Sequence, residues 1–365
     1  MKRVLFLTNT YFQIIVSIQL AMTKYSGSEV DIIISDHSSN YQKISDNLKK
    51  TKLFKNVYIT KSRSYIHNNN LKNKIIRNFH SLIIPEKVLD GLIDIKDGYY
   101  DEFLFYNIDA YSYLLFDVLH AQNNQISFKR FEEGFVTYLH DDNISTQASL
   151  IRKLFLKKNY IKMINTLFVF DKSLVLYDSK MNLEEIEKID KSDIKLKEII
   201  NNTFDYNNIK DNYSQKYIFF EESFFCDNKG IDDLPLIMRI AKIVGKENLL
   251  VKLHPRNRVD RFAEYGIETN KTIGIPWEVI QMNNDFSDKV FLTISSGSVL
   301  ASRLYFNDNI KTYLLFNCTD NMSDMVTEEY HEYLDRVNKK FGLDSFIIPK
   351  NVDELEELLR EEKKY

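Results

Sequence analysis

Short apolar runs of strand length alternate along the chain with stretches in which apolar residues recur at helical spacing. The runs predict strands at Lys2–Leu7, Asp31–Ile34, Asn56–Ile59, Glu102–Tyr106, Gln125–Arg130, Lys216–Phe220, Leu249–Leu253, Val290–Ile294 and Lys311–Leu315. The helical spacing predicts helices at Phe12–Thr23, Tyr41–Thr51, Ala110–His120, Leu234–Val244, Ser298–Tyr305 and Val352–Glu362. This alternation indicates an α/β fold in which helices cover both faces of parallel sheets.

A polar stretch divides the pattern into two halves. From Met181 to Ser214 the sequence is dominated by Glu, Lys, Asp and Asn, with short helical segments at Leu183–Ile189 and Leu196–Asn201. We therefore predict two Rossmann-like domains that face each other across a cleft. Their predicted bounds are 1–180 for the first domain, 181–214 for a linker, 215–350 for the second domain and 351–365 for a terminal helix.

Composition and charge narrow the class of protein. The 365 residues are 44% hydrophobic, and 10 Gly and 5 Pro are too few for a disordered or fibrous chain. A net charge of -3 gives no overall attraction to nucleic acid. Cys226 and Cys318 are too few for a disulfide framework and do not lie at metal-ligand spacing, which favours a reducing, cytoplasmic location.

The N-terminus is the segment that most resembles a targeting sequence. Lys2 and Arg3 precede an apolar run, which is interrupted by Thr8, Asn9, Thr10, Gln13 and Gln19. A signal peptide has an unbroken apolar core and a small-residue cleavage site, and a spanning helix needs about 18–20 apolar residues. We therefore predict no membrane span.

Three polar clusters follow predicted strands, and ligands of open α/β sheets bind beyond the carboxyl ends of the strands. The first cluster is Glu132-Glu133-Gly134. Neighbouring carboxylates repel each other, which raises the pKa of one toward that of a general base. Side chains alternate along extended chain, so one glutamate is expected to face the cleft, and we favour Glu132 as the base. Two solvated glutamates in a turn are the alternative.

The second cluster surrounds a histidine at the end of a predicted strand. His254 is followed by Pro255, which restricts the backbone, and is flanked by Lys252 and Arg256. This set suits an anionic ligand, and the imidazole is a candidate general acid or phosphate donor. A basic surface turn with a structural histidine is the alternative.

The third cluster is rich in hydroxyl groups. Ser295, Ser296 and Ser298 lie between a predicted strand and the start of a predicted helix. Hydroxyl groups and the free N–H groups of a helix start form a cradle for an anion. Ordinary helix capping is the alternative, although it needs only one serine.

Several common active-site motifs are absent. The sequence contains no Walker A motif, dinucleotide fingerprint, nucleophile elbow or zinc-binding H-E-x-x-H. The adjacent acids Asp141 and Asp142 are more typical of a loop than of a metal site. We therefore expect no metal site and no cofactor.

Taken in order, Glu-Glu-Gly, His-Pro and Ser-Ser resemble the three motifs of bacterial sialyltransferases. The sequence Lys-Leu-His-Pro-Arg ending at Arg256, the N-terminal opening and the chain length are most similar to glycosyltransferase family 52, which includes lipooligosaccharide sialyltransferases. Ile275-Pro276-Trp277-Glu278 resembles a loop that surrounds the cytidine in these enzymes. The family often reads Thr-Pro-Tyr-Gln near the N-terminus, where this chain has Thr-Tyr-Phe-Gln ending at Gln13.

The resemblance implies a GT-B fold, with the acceptor bound by the N-terminal half and CMP-sialic acid by the C-terminal half. His254 would contact or protonate the CMP phosphate, and Glu132 or Glu133 would be the base. Family 52 also places an Asp before the His-Pro motif, so Asp227, or Asp232 with Asp233, is a rival base. The implied donor-binding residues are Lys252, Pro255, Arg256, Trp277, Glu278, Ser295 and Ser296.

The implied activity is inverting, metal-independent transfer of sialic acid to a galactoside of a lipooligosaccharide or capsule. The partners would be CMP-sialic acid and a glycan acceptor, with no nucleic acid. Peripheral contact with the inner face of the membrane and a homodimer are both compatible with this role. Two alternatives stay open: a GT-B glycosyltransferase with another nucleotide sugar, and a non-catalytic protein of polysaccharide assembly.

Overall fold

Buried apolar strands form two separate parallel sheets, one in each half of the chain. The computed structural model describes residues 1–66, 82–93, 95, 99–141, 150, 153–154, 159–209, 211–257, 259–272, 274–320, 322, 326–342 and 346–363. The Asn/Lys-rich segment 67–77 and Asp142 lie outside these residues. The chain divides into unit 1, Met1–Asp205, and unit 2, Tyr206–Tyr365.

The sheet of unit 1 has seven parallel strands in the order β3-β2-β1-β4-β5-β6-β7. The strands are β1 Arg3–Thr8, β2 Glu29–Ser35, β3 Asn56–Thr60, β4 Glu102–Phe105, β5 Ser127–Phe131, β6 Ile164–Val169 and β7 Asn182–Glu185. The order reverses between β1 and β4, so these two strand ends border the switch point at which ligands of Rossmann folds bind.

The sheet of unit 2 has six parallel strands in the order β10-β9-β8-β11-β12-β13. The strands are β8 Tyr217–Phe220, β9 Leu249–Lys252, β10 Glu268–Thr269, β11 Val290–Thr293, β12 Lys311–Leu314 and β13 Phe346–Ile347. Here the switch point lies between β8 and β11. The prediction of two Rossmann-like domains is therefore confirmed.

Helices connect the strands in both units. Among the described residues, those of unit 1 are α1 Tyr11–Met22, α2 Tyr41–Thr51, α3 Ser62–Ile66, α4 Pro85–Asp90, α5 Ala110–Gln122, α6 Val136–Leu139, α7 Tyr160–Met163 and α8 Ile194–Phe204. Those of unit 2 are α9 Leu234–Val244, α10 Trp277–Asn283, α11 Ala301–Tyr305, α12 Glu328–Phe341 and α13 Val352–Glu362. Polar side chains fix several helix starts, as Asp109 does in a reciprocal capping box with Ser112 at α5.

Aromatic rings fill the core between the first sheet and α5. The Phe116 ring lies 4.9 Å from Phe105 on β4 and 4.8 Å from Phe128 on β5, and all three side chains are fully buried. Burying a side chain of this size contributes about 1.5–3 kcal/mol. The rings thus hold the helix against the sheet next to the strand ends that carry polar residues.

The segment predicted as a linker belongs largely to unit 1. Asn182–Glu185 forms β7 at the edge of the first sheet, where a helix was expected, and Ile194–Phe204 forms α8, which packs on α2. The boundary between the units lies at Asp205 and Tyr206. Within the described residues, no helix is both long and apolar enough to cross a membrane.

Candidate functional site

A network of side-chain amides occupies the switch point of unit 1. Asn9, after β1, donates from Nδ2 to Asn107 Oδ1, after β4, at 2.9 Å. Gln13 donates to the same oxygen at 3.2 Å, and its own Oε1 accepts the Asn9 backbone N–H at 2.7 Å. The network joins the two strand ends and the first turn of α1 into one polar cluster.

Glu133 joins this polar cluster from the end of β5. Its Oε1 accepts a hydrogen bond from the Thr10 hydroxyl at 2.8 Å, and its backbone N–H donates to Thr137 Oγ1 at 3.0 Å. Gly134 follows with φ of 89°, a left-handed conformation that glycine adopts without strain. The turn leaves the Glu133 side chain partly exposed beside the amide network.

Glu132 points in the opposite direction, as alternation along the strand requires, and is completely buried. Its Oε2 accepts hydrogen bonds from the Phe170 backbone N–H, at 2.7 Å, and from the Tyr138 hydroxyl. These contacts tie β5 to the end of β6. Burial therefore favours Glu133, the partly exposed residue of the pair, over our preferred Glu132 as the candidate base.

The rival acid Asp227 lies in unit 2, where its carboxylate is paired with neighbouring side chains. Arg256 approaches its carboxylate at 2.9 Å, and Ser223 donates to it at 2.8 Å. The Ser223 hydrogen bond and the Arg256 charge lower the pKa of Asp227. Arg256 is mostly exposed and also reaches Ser223, so it holds this loop together.

His254 lies in a tight turn after β9. The His254 carbonyl accepts the Asn257 N–H at 2.9 Å, with Pro255 at the second position of the turn, where its fixed φ is suited. His254 Nδ1 accepts the Arg256 N–H at 3.2 Å, so the neutral ring carries its proton on Nε2. Burial, with the charges of Arg256 and Lys252, lowers the pKa of His254 to about 4. Near neutral pH the side chain is an uncharged N–H donor.

A second Glu-Glu pair, which our sequence analysis missed, follows β8. Glu221 is buried and accepts the His254 backbone N–H at 2.9 Å and a hydrogen bond from Arg261 at 3.0 Å. Arg261 also pairs with Asp233 at 2.6 Å, at the start of α9. The sequence does contain a signal for this pair, because Phe-Glu-Glu-Ser at the end of β8 repeats the Phe-Glu-Glu-Gly at the end of β5.

The other acid of this pair, Glu222, lies at the switch point of unit 2 together with the serine cluster. Its Oε1 accepts the Ser295 N–H at 2.9 Å. The Ser296 hydroxyl accepts from the Ser298 N–H, and the Ser296 N–H donates to Thr293 at 3.1 Å. The predicted helix Ser298–Tyr305 is a 3₁₀ turn, Gly297–Val299, followed by the short helix α11. The serines are partly exposed, and their N–H groups have partners within the chain.

Lys252, the last residue of β9, lies near Trp277 and Glu278 at the start of α10. Trp277 is 3% exposed and its ring lies 4.7 Å from that of Phe220, so the side chain packs in the core of unit 2. Lys252 Nζ lies 6.0 Å from both ring centroids. Burial lowers the pKa of Lys252 to about 8 and raises the pKa of Glu278, while their opposite charges act against both shifts.

Metal ligands do not gather at any of these positions. Within the part of the chain that the structure describes, no group of three or more His, Cys, Asp or Glu side chains is placed to hold a metal ion. The groups available for chemistry are the carboxylate of the half-buried Glu133 in unit 1 and, in unit 2, a neutral imidazole, an ammonium group and hydroxyl groups.

Comparison with solved structures identifies the fold. No protein-family model matches the chain, and no curated protein matches it by sequence. The chain is similar to UGT89C1 of Arabidopsis thaliana complexed with UDP, with a TM-score of 0.54 and 10% identity over 100% of this chain and 90% of that one. It is also similar to a sialyltransferase from Photobacterium damsela, with a TM-score of 0.51 and 11% identity over 95% and 81% of the two chains.

A third similar structure is the alpha/beta-galactoside alpha-2,3-sialyltransferase of Photobacterium phosphoreum. The TM-score is 0.51 and the identity 10%, over 95% of this chain and 98% of that one. These likenesses and the two Rossmann-like sheets define the fold as that of the GT-B glycosyltransferases. At such low identity they do not place the chain in family 52.

Proposed function

We propose that the protein is a glycosyltransferase, and specifically an inverting, metal-independent sialyltransferase that uses CMP-sialic acid and a galactoside acceptor. The observation that carries the proposal is the placement of the His-Pro and Ser-Ser motifs at the carboxyl ends of β9 and β11. Both strands are neighbours of β8 in one Rossmann-like sheet. Ligands bind at such strand ends, and the motifs supply donors suited to a nucleotide phosphate.

The proposed chemistry divides between a base and a set of donors to the leaving group. Glu133 takes the proton of the acceptor hydroxyl while that oxygen bonds to the anomeric carbon of sialic acid, and CMP departs with the bonding electrons. His254 donates from Nε2 to the phosphate, and Ser295 and Ser296 donate from their hydroxyls. Lys252 adds positive charge. These groups stabilise the departing anion, so the proposal needs no divalent ion.

Turnover tests this proposal directly. The protein is incubated with CMP-sialic acid and a panel of galactosides in EDTA, and CMP release is measured. We expect release that depends on the acceptor and falls about 100-fold or more in His254→Ala, the scale for one catalytic donor. His331→Ala, on the exposed face of α12 in the same unit, is the matched control.

Three results would contradict parts of the proposal. Loss of turnover in EDTA contradicts metal independence. Turnover with UDP-sugars in place of CMP-sialic acid assigns a different donor, the alternative that the UDP-bound structural relative favours. Absence of turnover with every nucleotide sugar contradicts catalysis and favours an assembly role. A cytoplasmic location and a surface-glycan acceptor belong to the same proposal.

A further inference from the structure

Glu222 occupies the centre of the switch point of unit 2. Three hydrogen bonds converge on its Oε1: one from the Ser295 N–H at 2.9 Å, one from the Ser295 hydroxyl at 3.3 Å and one from the Thr293 hydroxyl at 3.3 Å. The structure shows no hydrogen bond to Oε2 from the residues that it describes. The carboxyl group is thus anchored through one oxygen, while the other remains available to a ligand.

The surroundings of Glu222 disfavour its negative charge. Burial raises the pKa of Glu222, and the charge of Asp233, at the start of α9, acts in the same direction. The hydrogen bonds from Ser295 and Thr293 oppose the shift. Burial raises the pKa of Tyr330 of α12, and the charge of Glu222 adds to that rise. Arg261 of the same unit is paired with Glu221 and Asp233.

A conflict arises when a phosphate binds the serine cluster. The Ser295 N–H and hydroxyl that would serve the phosphate are the groups that Glu222 holds. An ionised carboxylate and a phosphate in contact with the same donors repel each other strongly, because the partly buried site screens them poorly. A neutral carboxylic acid removes the repulsion. With Oε1 occupied as an acceptor, its proton is carried on Oε2, where it becomes a hydrogen-bond donor.

We propose that Glu222 binds the nucleotide phosphate as a neutral carboxylic acid, donating from Oε2 to a phosphate oxygen while Oε1 keeps the Ser295 N–H. The inference rests on the proposed function in placing a phosphate at Ser295 and Ser296. It makes phosphate binding and the uptake of one proton from solvent a single linked event. Affinity for the nucleotide therefore rises as the pH falls through the pKa of Glu222 in the free protein.

Calorimetry with CMP tests the linkage. CMP is titrated at pH 5.5 to 7.5 in pairs of buffers with different ionisation enthalpies, which gives the number of protons taken up. On binding CMP, the wild-type protein should take up as much as one proton more than Glu222→Gln. For each unit by which the pH rises, the Kd of the wild type should increase by up to tenfold more than the Kd of Glu222→Gln. Glu222→Gln keeps an acceptor and a donor, so it binds CMP at pH 7.5 at least as tightly as the wild type.

Two further variants complete the design. Glu222→Ala also loses the proton uptake but binds CMP about tenfold more weakly, because it lacks the donor. Glu264→Gln, an exposed acid of the same unit, behaves as the wild type. Cytidine, which has no phosphate, shows no difference between the wild type and Glu222→Gln.

The outcomes separate this inference from the proposed function. CMP binding with equal proton uptake in the wild type and both Glu222 variants overturns the role of Glu222 and leaves the donor assignment intact. Binding of UDP but not CMP, with uptake that Glu222→Gln abolishes, supports the role of Glu222 and contradicts CMP-sialic acid as donor. Binding of neither nucleotide overturns both.

Discussion

The Thr10 hydroxyl donates a hydrogen bond of 2.8 Å to Glu133 Oε1 across 123 residues of sequence. The same hydroxyl accepts the Gln13 N–H at 3.2 Å and thereby caps α1. Because its acceptor side is occupied by the helix, its proton is directed at Glu133. One side chain therefore fixes both the start of the first helix and the orientation of the carboxylate that we propose as the base.

We predict that Thr10 positions Glu133 for catalysis. Thr10→Ser keeps both hydrogen bonds and should have near wild-type kcat. Thr10→Asp still caps the helix but lacks the donor and places a second negative charge beside Glu133. It should lower kcat about tenfold with less effect on KM and move the acidic limb of the pH–kcat profile upward. Wild-type kcat and pH profile in Thr10→Asp, at unchanged melting temperature, would contradict a positioning role.

The two acids after β5 should respond differently to substitution. Glu132→Ala removes the acceptor of the Tyr138 hydroxyl and the nearer of the two acceptors of the Phe170 N–H, Tyr138 being the other. Unfolding in urea should therefore show a loss of about 2–4 kcal/mol. Glu133→Gln should unfold like the wild type, bind CMP normally and lose about 100-fold in kcat. A stable Glu132→Ala protein without activity would return the catalytic role to Glu132.

Asp227 provides the critical comparison for the base. The Ser223 hydrogen bond and the Arg256 charge stabilise its ionised form and lower its pKa, which makes it a weak proton acceptor. Asp227→Asn should therefore keep turnover within a few-fold of the wild type. If it alone abolishes transfer, while Glu132→Gln and Glu133→Gln stay near wild type, the base is Asp227 and the first pair is structural.

The pKa of His254 should be lower than that of exposed histidines. Its pKa in the folded protein is about 4, against about 6.5 for an unperturbed imidazole. Because the folded state resists protonation of His254, the neutral ring contributes fully to the free energy of unfolding above pH 6.5. That contribution is lost as the pH falls from there toward 4. NMR of labelled imidazole nitrogens should show one ring, absent in His254→Ala, that stays neutral at pH 5.5. A ring at this position that titrates near 6.5 would contradict the neutral donor.

Lys252 should make CMP binding sensitive to alkaline pH. Its pKa of about 8 means that the ammonium charge is present below pH 8 and is lost as the pH rises through that value. CMP affinity of the wild type should therefore fall between pH 7.5 and 9.5, whereas Lys252→Arg, which stays charged, should change little. Equal pH dependence in the wild type and Lys252→Arg would exclude Lys252 as the titrating group.

The sequence predicted every central strand except β6, together with the edge strand β3, and it missed the edge strands β7, β10 and β13. Asn182–Glu185 has the composition of a surface segment because β7 has a neighbour on one side only. Glu268–Thr269 and Phe346–Ile347 have two residues each, too few for a pattern. The buried strand β6, Ile164–Val169, was not predicted although its sequence has a clear apolar run.

The site was predictable as a set of positions but not as a set of orientations. Strand alternation correctly placed Glu132 and Glu133 on opposite sides. The choice of the buried acid depends on Phe170, which is 38 residues away and supplies a backbone N–H at the end of a neighbouring strand. The packing of Trp277 was not predictable for a similar reason, because its aromatic partners come from strands that are distant in sequence.

The buried chain of charges from Asp233 through Arg261 to Glu221 ends on the His254 backbone N–H. Substitutions that disrupt it would displace the imidazole without removing any proposed ligand contact. A random mutagenesis screen for lost activity should therefore recover Asp233 and Arg261 alongside His254, and conservation at these positions would reflect support of the histidine turn. Partial rescue by a compensating charge swap between Asp233 and Arg261 would mark them as such support.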